Sequence, residues 1–184
     1  SFHNVVTLAS IDFQLSLTFA NLRPVNLPLF LEYTREGNFT PVRLAAFNAL
    51  LLMRGLQHKV LARYYFAVLT TDENDLVKMH LARGLCDALA VAIATGELGY
   101  TRPRQERPED TLQEGQTSQI ENLGEQETKR VQEEAQHETM VKFLRKEIGR
   151  SASVREGFLM AYASAHGAVP IRSALLHLAE LLFK

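Results

Sequence analysis

The sequence contains no tryptophan and a single cysteine, Cys86. A lone cysteine excludes an internal disulfide framework and a cysteine-based zinc site, and it fits a reducing compartment, cytosol or nucleus. Excess charge of one sign is also missing. Twenty Lys and Arg stand against 21 Asp and Glu, for a formal net charge of −1, so no global field draws the chain to nucleic acid or to an anionic membrane. The longest apolar run, Leu85 to Ala94, is interrupted by Asp87 and falls well short of the roughly 18 residues of a membrane span. No signal peptide is visible. The chain opens Ser-Phe-His without an initiator Met, which reads as a fragment of something longer.

What remains is 46 % hydrophobic over 184 residues, enough for one or two domains with a real core. Leu and Ala dominate, and Gly and Pro are modest, a composition that suits helices better than sheets. An internal repeat organises it. Gly37-Asn38-Phe39-Thr40-Pro41-Val42-Arg43 and Asp72-Glu73-Asn74-Asp75-Leu76-Val77-Lys78 lie 35 residues apart. An apolar helical pattern follows each Val-basic pair, and the seventh residue after the Val is small both times, Ala49 and Gly84. Another apolar stretch precedes each turn, Leu27 to Thr34 and Ala62 to Leu69, so Leu29, Phe30 and Leu31 match Tyr64, Tyr65 and Phe66. The unit is helix, short polar turn, helix. Pro41 suits a first helical turn, and Asp72 and Asn74 suit turns and caps.

A third copy is expected at Gly149-Arg150-Ser151-Ala152-Ser153-Val154-Arg155, with Ala161 as its small residue. Its first helix would be Lys129 to Ile148 and its second Val154 to Ala165. Gly167 and Pro170 then punctuate, and Ile171 to Phe183 forms a final helix. Asn4 to Phe19 reads as the second helix of an earlier repeat.

Thr101 to about Thr128 differs: it is rich in Glu, Gln, Arg and Pro and poor in apolar residues. Such a segment cannot bury enough surface to offset its ordering entropy. From Thr101 to Glu138 ten acidic residues face five basic ones, about −5 in all, which leaves the rest of the chain near +4. The expected fold is therefore all-α: HEAT-like helical hairpins in a short α-solenoid over residues 1–100, a flexible acidic insertion over 101–128, and further HEAT-like helices over 129–184. A hairpin buries its apolar face only by stacking on neighbours. Function then belongs to the long surface so made, as in a binding scaffold.

Leu29-Phe30-Leu31-Glu32-Tyr33-Thr34-Arg35-Glu36-Gly37-Asn38-Phe39, followed by Val42-Arg43-Leu44-Ala45-Ala46, resembles the late helical-repeat region of the TBP-associated factor 2 family, a subunit of the general transcription factor TFIID. Phe2 to Thr7 and Asp72 to Arg83 are similar to neighbouring parts of that region. The resemblance covers about residues 1–95 well and 129–184 loosely. It implies the C-terminal α-helical superhelix of an M1 aminopeptidase-like fold without peptidase activity. The implied setting is a nuclear scaffold that assembles with TBP-associated factors 8 and 1 and meets promoter DNA only through the whole complex. It implies no cofactor, no membrane and no small-molecule substrate. The alternatives are the C-terminal domain of an active M1-type aminopeptidase and an unrelated HEAT-repeat adaptor.

Individual residues fit this reading. His137-Glu138-Thr139-Met140-Val141 lacks the second His of the zinc motif H-E-x-x-H, so a metal would lose a ligand. His3, His58, His80, His166 and His177 contain no pair four apart, against the clustering of metal ligands. Arg43, Lys78 and Arg155 recur once per repeat. They form either a row facing an acidic partner or, more commonly, a ladder of ion pairs with turn acids such as Asp72. The candidate partner contacts are Arg35, Arg43, Lys78 and Arg83. Tyr64, Tyr65 and Phe66 belong to the core for at least two of the three. Arg102, Arg104 and Arg107 are candidate nucleic-acid contacts, set against the commoner role of a solvated linker. Cys86 sits on an apolar helix, buried and inert.

Overall fold

The computed structural model describes residues 2–54, 56, 58–95 and 138–183. The expected insertion 101–128, with Arg102, Arg104 and Arg107, and His137 of the incomplete zinc motif lie outside the described residues. Among the described residues every regular element is helical and none is a strand. The elements are α1 (Phe2–Phe19), α2 (Leu27–Thr34), α3 (Thr40–Arg54), α4 (Lys59–Thr71), α5 (Asp75–Thr95), α6 (residues 138–144, continued by a π-helical turn over Arg145–Gly149), α7 (Ala152–Ser164) and α8 (Val169–Leu182). None is long and apolar enough to cross a membrane, among the described residues.

Local chemistry sets the helix ends. Asn26 Oδ1 accepts the Leu29 N–H at the start of α2, with Pro28 in the first turn, and this satisfies one of the donors a helix start leaves unpaired. Gly37, at φ +91°, takes the left-handed turn that side chains disfavour. Asn38 Nδ2 donates to the Glu32 and Arg35 carbonyls at the end of α2. At the next turn Asn74 Oδ1 accepts the Leu76 and Val77 N–H groups, and Asp75 adds negative charge at the α5 N-terminus, where the helix dipole favours it.

Helices α1, α3, α5 and α8 pack side by side in that order. Helix α2 packs on α3, α4 on α5, and α7 on both α4 and α8. One apolar cluster runs through all of them from Ile11 to Leu182. Phe30, Phe47, Tyr65, Phe66, Leu81 and Leu85 are fully buried in it, and full burial of a side chain of this size contributes about 1.5–3 kcal/mol. The expected register residues Val42, Val77 and Val154 are all buried, as are Ala49 and Ala161. A Cβ on Gly84 would meet Leu51 Cδ1 at 2.7 Å, so α3 and α5 cross closely there.

The third copy is offset by one helix from the sequence expectation. The segment beginning at Val154 is expected to be a second helix, matching α3 and α5. Instead α7 packs mainly on α4, a first helix, while α8 packs on the second helix α5. The turn between α7 and α8 lies beside the turn between α4 and α5: Ser164 to Ala168 and Asp75, Lys78 border one cleft. The matching hairpin is therefore α7–α8. A buried Val, a basic neighbour and a small residue two turns on describe how any helix begins and crosses its partner, so they carry no information about which layer it joins.

Candidate functional site

The expected basic row separates into three different environments. Arg43 is buried at 4 % exposure. Its Nε donates to the Thr34 carbonyl oxygen at 2.9 Å, and its two terminal nitrogens form a fork onto the Asp72 carboxylate, which is equally buried. Arg43 thus makes the expected ion pair with the turn acid Asp72, and with 5 % of its side chain exposed it is corrected from a candidate partner contact to an internal strut. Asp72 Oδ1 also accepts the Asn74 N–H, so one carboxylate shapes the second turn and receives the arginine of the first hairpin. A charge-assisted bidentate pair of this kind fixes geometry as well as energy. Thr34 Oγ1 to Tyr64 Oη at 2.5 Å, Asn74 Nδ2 to Thr40 Oγ1 at 3.1 Å and His80 Nε2 to Asn48 Oδ1 at 2.7 Å complete the polar links between the two hairpins.

Lys78 is half-buried and pairs with Asp75 at 2.8 Å, beside the cleft of about 290 Å³ that the α7–α8 turn borders. Its charge is balanced locally. Arg35 is exposed and pairs with Glu32 at 3.1 Å. Arg83 is exposed on α5. Of the four expected contacts, Arg43 is buried, Lys78 half-buried, and Arg35 and Arg83 exposed.

Arg155 lies at the opposite end of the molecule from the hairpin turns, at the N-terminal end of α7. With Lys142, Arg145, Lys146 and Arg150 it lines a cleft of about 350 Å³, whose remaining lining residues are Leu182 and Phe183. Among the described residues no carboxylate lines this cleft. Lys142 Nζ is held by Glu138 at 2.7 Å; that hydrogen bond and the lysine's charge hold the Glu138 carboxyl below its ordinary value. Arg145 Nε donates to the Leu181 carbonyl at 3.0 Å, and Arg155 Nε donates to the Gly149 carbonyl at 2.6 Å. The π-helical turn makes this closeness possible. A Cβ on Gly149 would sit 2.0 Å from the Leu182 carbonyl oxygen, so only glycine lets the end of α8 approach. Wider turns of this type recur at functional sites. The sequence reading singled out Arg155 alone. The signal available for the others was Lys142, Arg145 and Lys146 at spacings of three and four, one face of a helix.

The remaining expectations concern the core. Tyr65 and Phe66 are fully buried, and Tyr64 is half-buried. The Tyr65 hydroxyl has no hydrogen-bond partner among the described residues, and burial, then Tyr64, push its phenol above the usual range. Cys86 is half-buried, with Sγ 3.2 Å from the Ala174 carbonyl. Burial, then the Asp87 carboxylate, push its thiol up, which disfavours the reactive thiolate.

No family model matches the chain, and no solved structure matches it. Among curated proteins it is similar to transcription initiation factor TFIID subunit 2 of Schizosaccharomyces pombe (strain 972 / ATCC 24843), with 34 % identity over 96 residues. That stretch is 52 % of this chain and 8 % of the fission-yeast protein, so the similarity joins a helical segment here to a small part of a much longer TFIID subunit.

Proposed function

We propose that this chain is a non-catalytic scaffold segment of a TFIID-subunit-2-like protein, acting in the nucleus in transcription initiation by RNA polymerase II. The observation that carries the reading is the 34 % identity to TFIID subunit 2 over 96 residues. The helical packing supports it. The three helix pairs α2–α3, α4–α5 and α7–α8 suit a HEAT-like array over residues 1–100 and 129–184, with residues 101–128 as an acidic insertion between its parts. Such an array offers a long surface, and function follows from what assembles on it. The proposed partners are other TFIID subunits, TBP-associated factors 8 and 1 first, with promoter DNA met only through the complex. Of the expected partner contacts, Arg35, Lys78 and Arg83 are the proposed ones.

Co-expression with TBP-associated factor 8, followed by affinity purification and gel filtration, tests the reading. A stable stoichiometric complex is expected. A well-folded chain that elutes alone, with TBP-associated factors 8 and 1 each supplied in excess, would remove the assignment.

A further inference from the structure

We infer that the cleft between the π-helical turn of α6, the start of α7 and the end of α8 is a docking site for an acidic peptide segment that alternates carboxylates with apolar side chains. The inference goes beyond the assembly role proposed above and stands without the TFIID assignment, because it rests on the cleft alone.

Five cations line one cleft with no carboxylate among the described lining residues, and of the five only Lys142 has a described ion pair, with Glu138 from outside the lining. Arg43, Lys78 and Arg35, by contrast, each have a carboxylate partner: Asp72, Asp75 and Glu32. Concentrating like charge costs free energy unless a counter-charge is supplied, and a concave wall focuses the resulting field. Two of the cations are also preorganised. Arg145 and Arg155 each spend Nε on a main-chain carbonyl, which holds the guanidinium plane in place with its terminal nitrogens still to be used. A fork so oriented matches a carboxylate bidentately. Lys146 and Arg150 are exposed at the rim, where mobile cations favour fast capture.

The floor distinguishes among anions. Leu182 is buried at 1 % exposure, so the half-buried Phe183 supplies the apolar surface between the cations, which an aspartate-rich segment with intervening Leu or Phe would cover. Single-stranded nucleic acid would need an open aromatic face for base stacking. The Phe183 ring is already engaged, with its centroid 4.9 Å from that of Phe158 in an edge arrangement and the Arg155 guanidinium 5.9 Å over it. A cleft of about 350 Å³ takes a few side chains of an extended segment and not a duplex, whose major groove alone is about 12 Å wide.

The test is fluorescence anisotropy with the 184-residue chain and two probes. One is a fluorescein-labelled peptide alternating Asp with Leu and Phe; the other is a labelled single-stranded oligonucleotide of similar charge. Saturable peptide binding is expected, and Lys146→Glu with Arg150→Glu should weaken it about tenfold or more. Neither side chain is held by a described ion pair, and circular dichroism melts check that the double variant folds. Arg23→Glu with Arg63→Glu, an equal charge change at exposed residues outside the cleft lining, should leave the affinity within about twofold. Equal loss in both double variants would mean attraction by net charge alone and overturn the site. Absence of saturable peptide binding would overturn it as well. Oligonucleotide binding that is tighter than the peptide's and equally sensitive to Lys146→Glu/Arg150→Glu would replace the peptide with nucleic acid.

Discussion

The two ends of the helical array are joined by different forces. Between the hairpins α2–α3 and α4–α5 the seam is polar. Arg43 and Asp72 form a buried ion pair, and Thr34–Tyr64, Thr40–Asn74 and His80–Asn48 add hydrogen bonds. Between α4–α5 and α7–α8 the seam is mainly apolar and aromatic. Phe66 of α4 meets Phe158 of α7 edge-on at 5.8 Å, and a Cβ on Gly157 would touch Phe66, while inside the second hairpin Phe158 meets Tyr162 and Phe183. Hydrogen bonds at this seam are few: Ser164 Oγ reaches the Leu69 carbonyl, and Cys86 Sγ reaches that of Ala174. A polar seam consumes its charges, whereas an apolar one leaves them to the outside. The arginine that begins α3 is spent on holding two hairpins in register, while the arginine that begins α7 lines an open cleft. The same residue type after the same buried Val serves structure at one end and is available for recognition at the other.

The largest expected effect breaks the polar seam. Asp72→Ala strands the Arg43 guanidinium in the core, and loss of one partner of a buried pair costs about 3–5 kcal/mol. Urea unfolding should therefore show a large drop in midpoint, and the double variant Arg43→Met/Asp72→Leu should recover most of it. A drop below about 1 kcal/mol, the range of exposed pairs, would mean the pair is solvated in solution. Phe158→Ala cuts the aromatic seam and should cost about 3–4 kcal/mol. Hydrogen exchange in this variant should rise first in α7 and α8. If protection is instead lost first in α2 and α3, the two seams are not separable units. Tyr65→Phe removes the unpartnered hydroxyl and should be neutral or stabilising by about 1 kcal/mol; a thermal melt that falls by several degrees would reveal a partner for that group.

The smallest effect is a pH dependence. Burial holds the His80 pKa below its ordinary value, so the unfolded chain takes up the proton more readily than the folded one. Stability should therefore fall as pH drops through the unfolded value of about 6.5 and should be indifferent to His80 well above it. The comparison is between the chain and His80→Gln, each melted on both sides of that pH. The unsubstituted chain should lose more on acidification, and equal losses would sink the idea.

Helix positions were largely legible in the sequence. The segment Leu27–Thr34 has the expected limits, and Phe2–Phe19, Lys59–Thr71, Ala152–Ser164 and Val169–Leu182 extend or shift the expected ones by one to three residues. Apolar periodicity, Asn and Asp at turns and Pro in first turns act within a few residues of where they are read. The burial of Val42, Val77 and Val154 was legible for the same reason. The candidate site was not. Of its cations only Arg155 stands out in the sequence, in a row facing an acidic partner or a ladder of ion pairs. An ion pair of Arg43 with a turn acid such as Asp72 was legible as the commoner of two readings, but charge alone does not reveal that the pair is buried.

The sequence by itself determined the helical character of the described residues, the limits of their helices to within a few residues, which of their faces are apolar, and the spacing of the basic residues, because each follows from local sterics and the 3.6-residue period. Only the tertiary structure decided which layer α7 joins, that Arg43 is buried against Asp72, and that Lys142, Arg145, Lys146, Arg150 and Arg155 converge on one cleft. Those outcomes depend on how helices distant in sequence cross, on a glycine that admits a carbonyl from another helix, and on whether a charge finds its partner before it finds solvent.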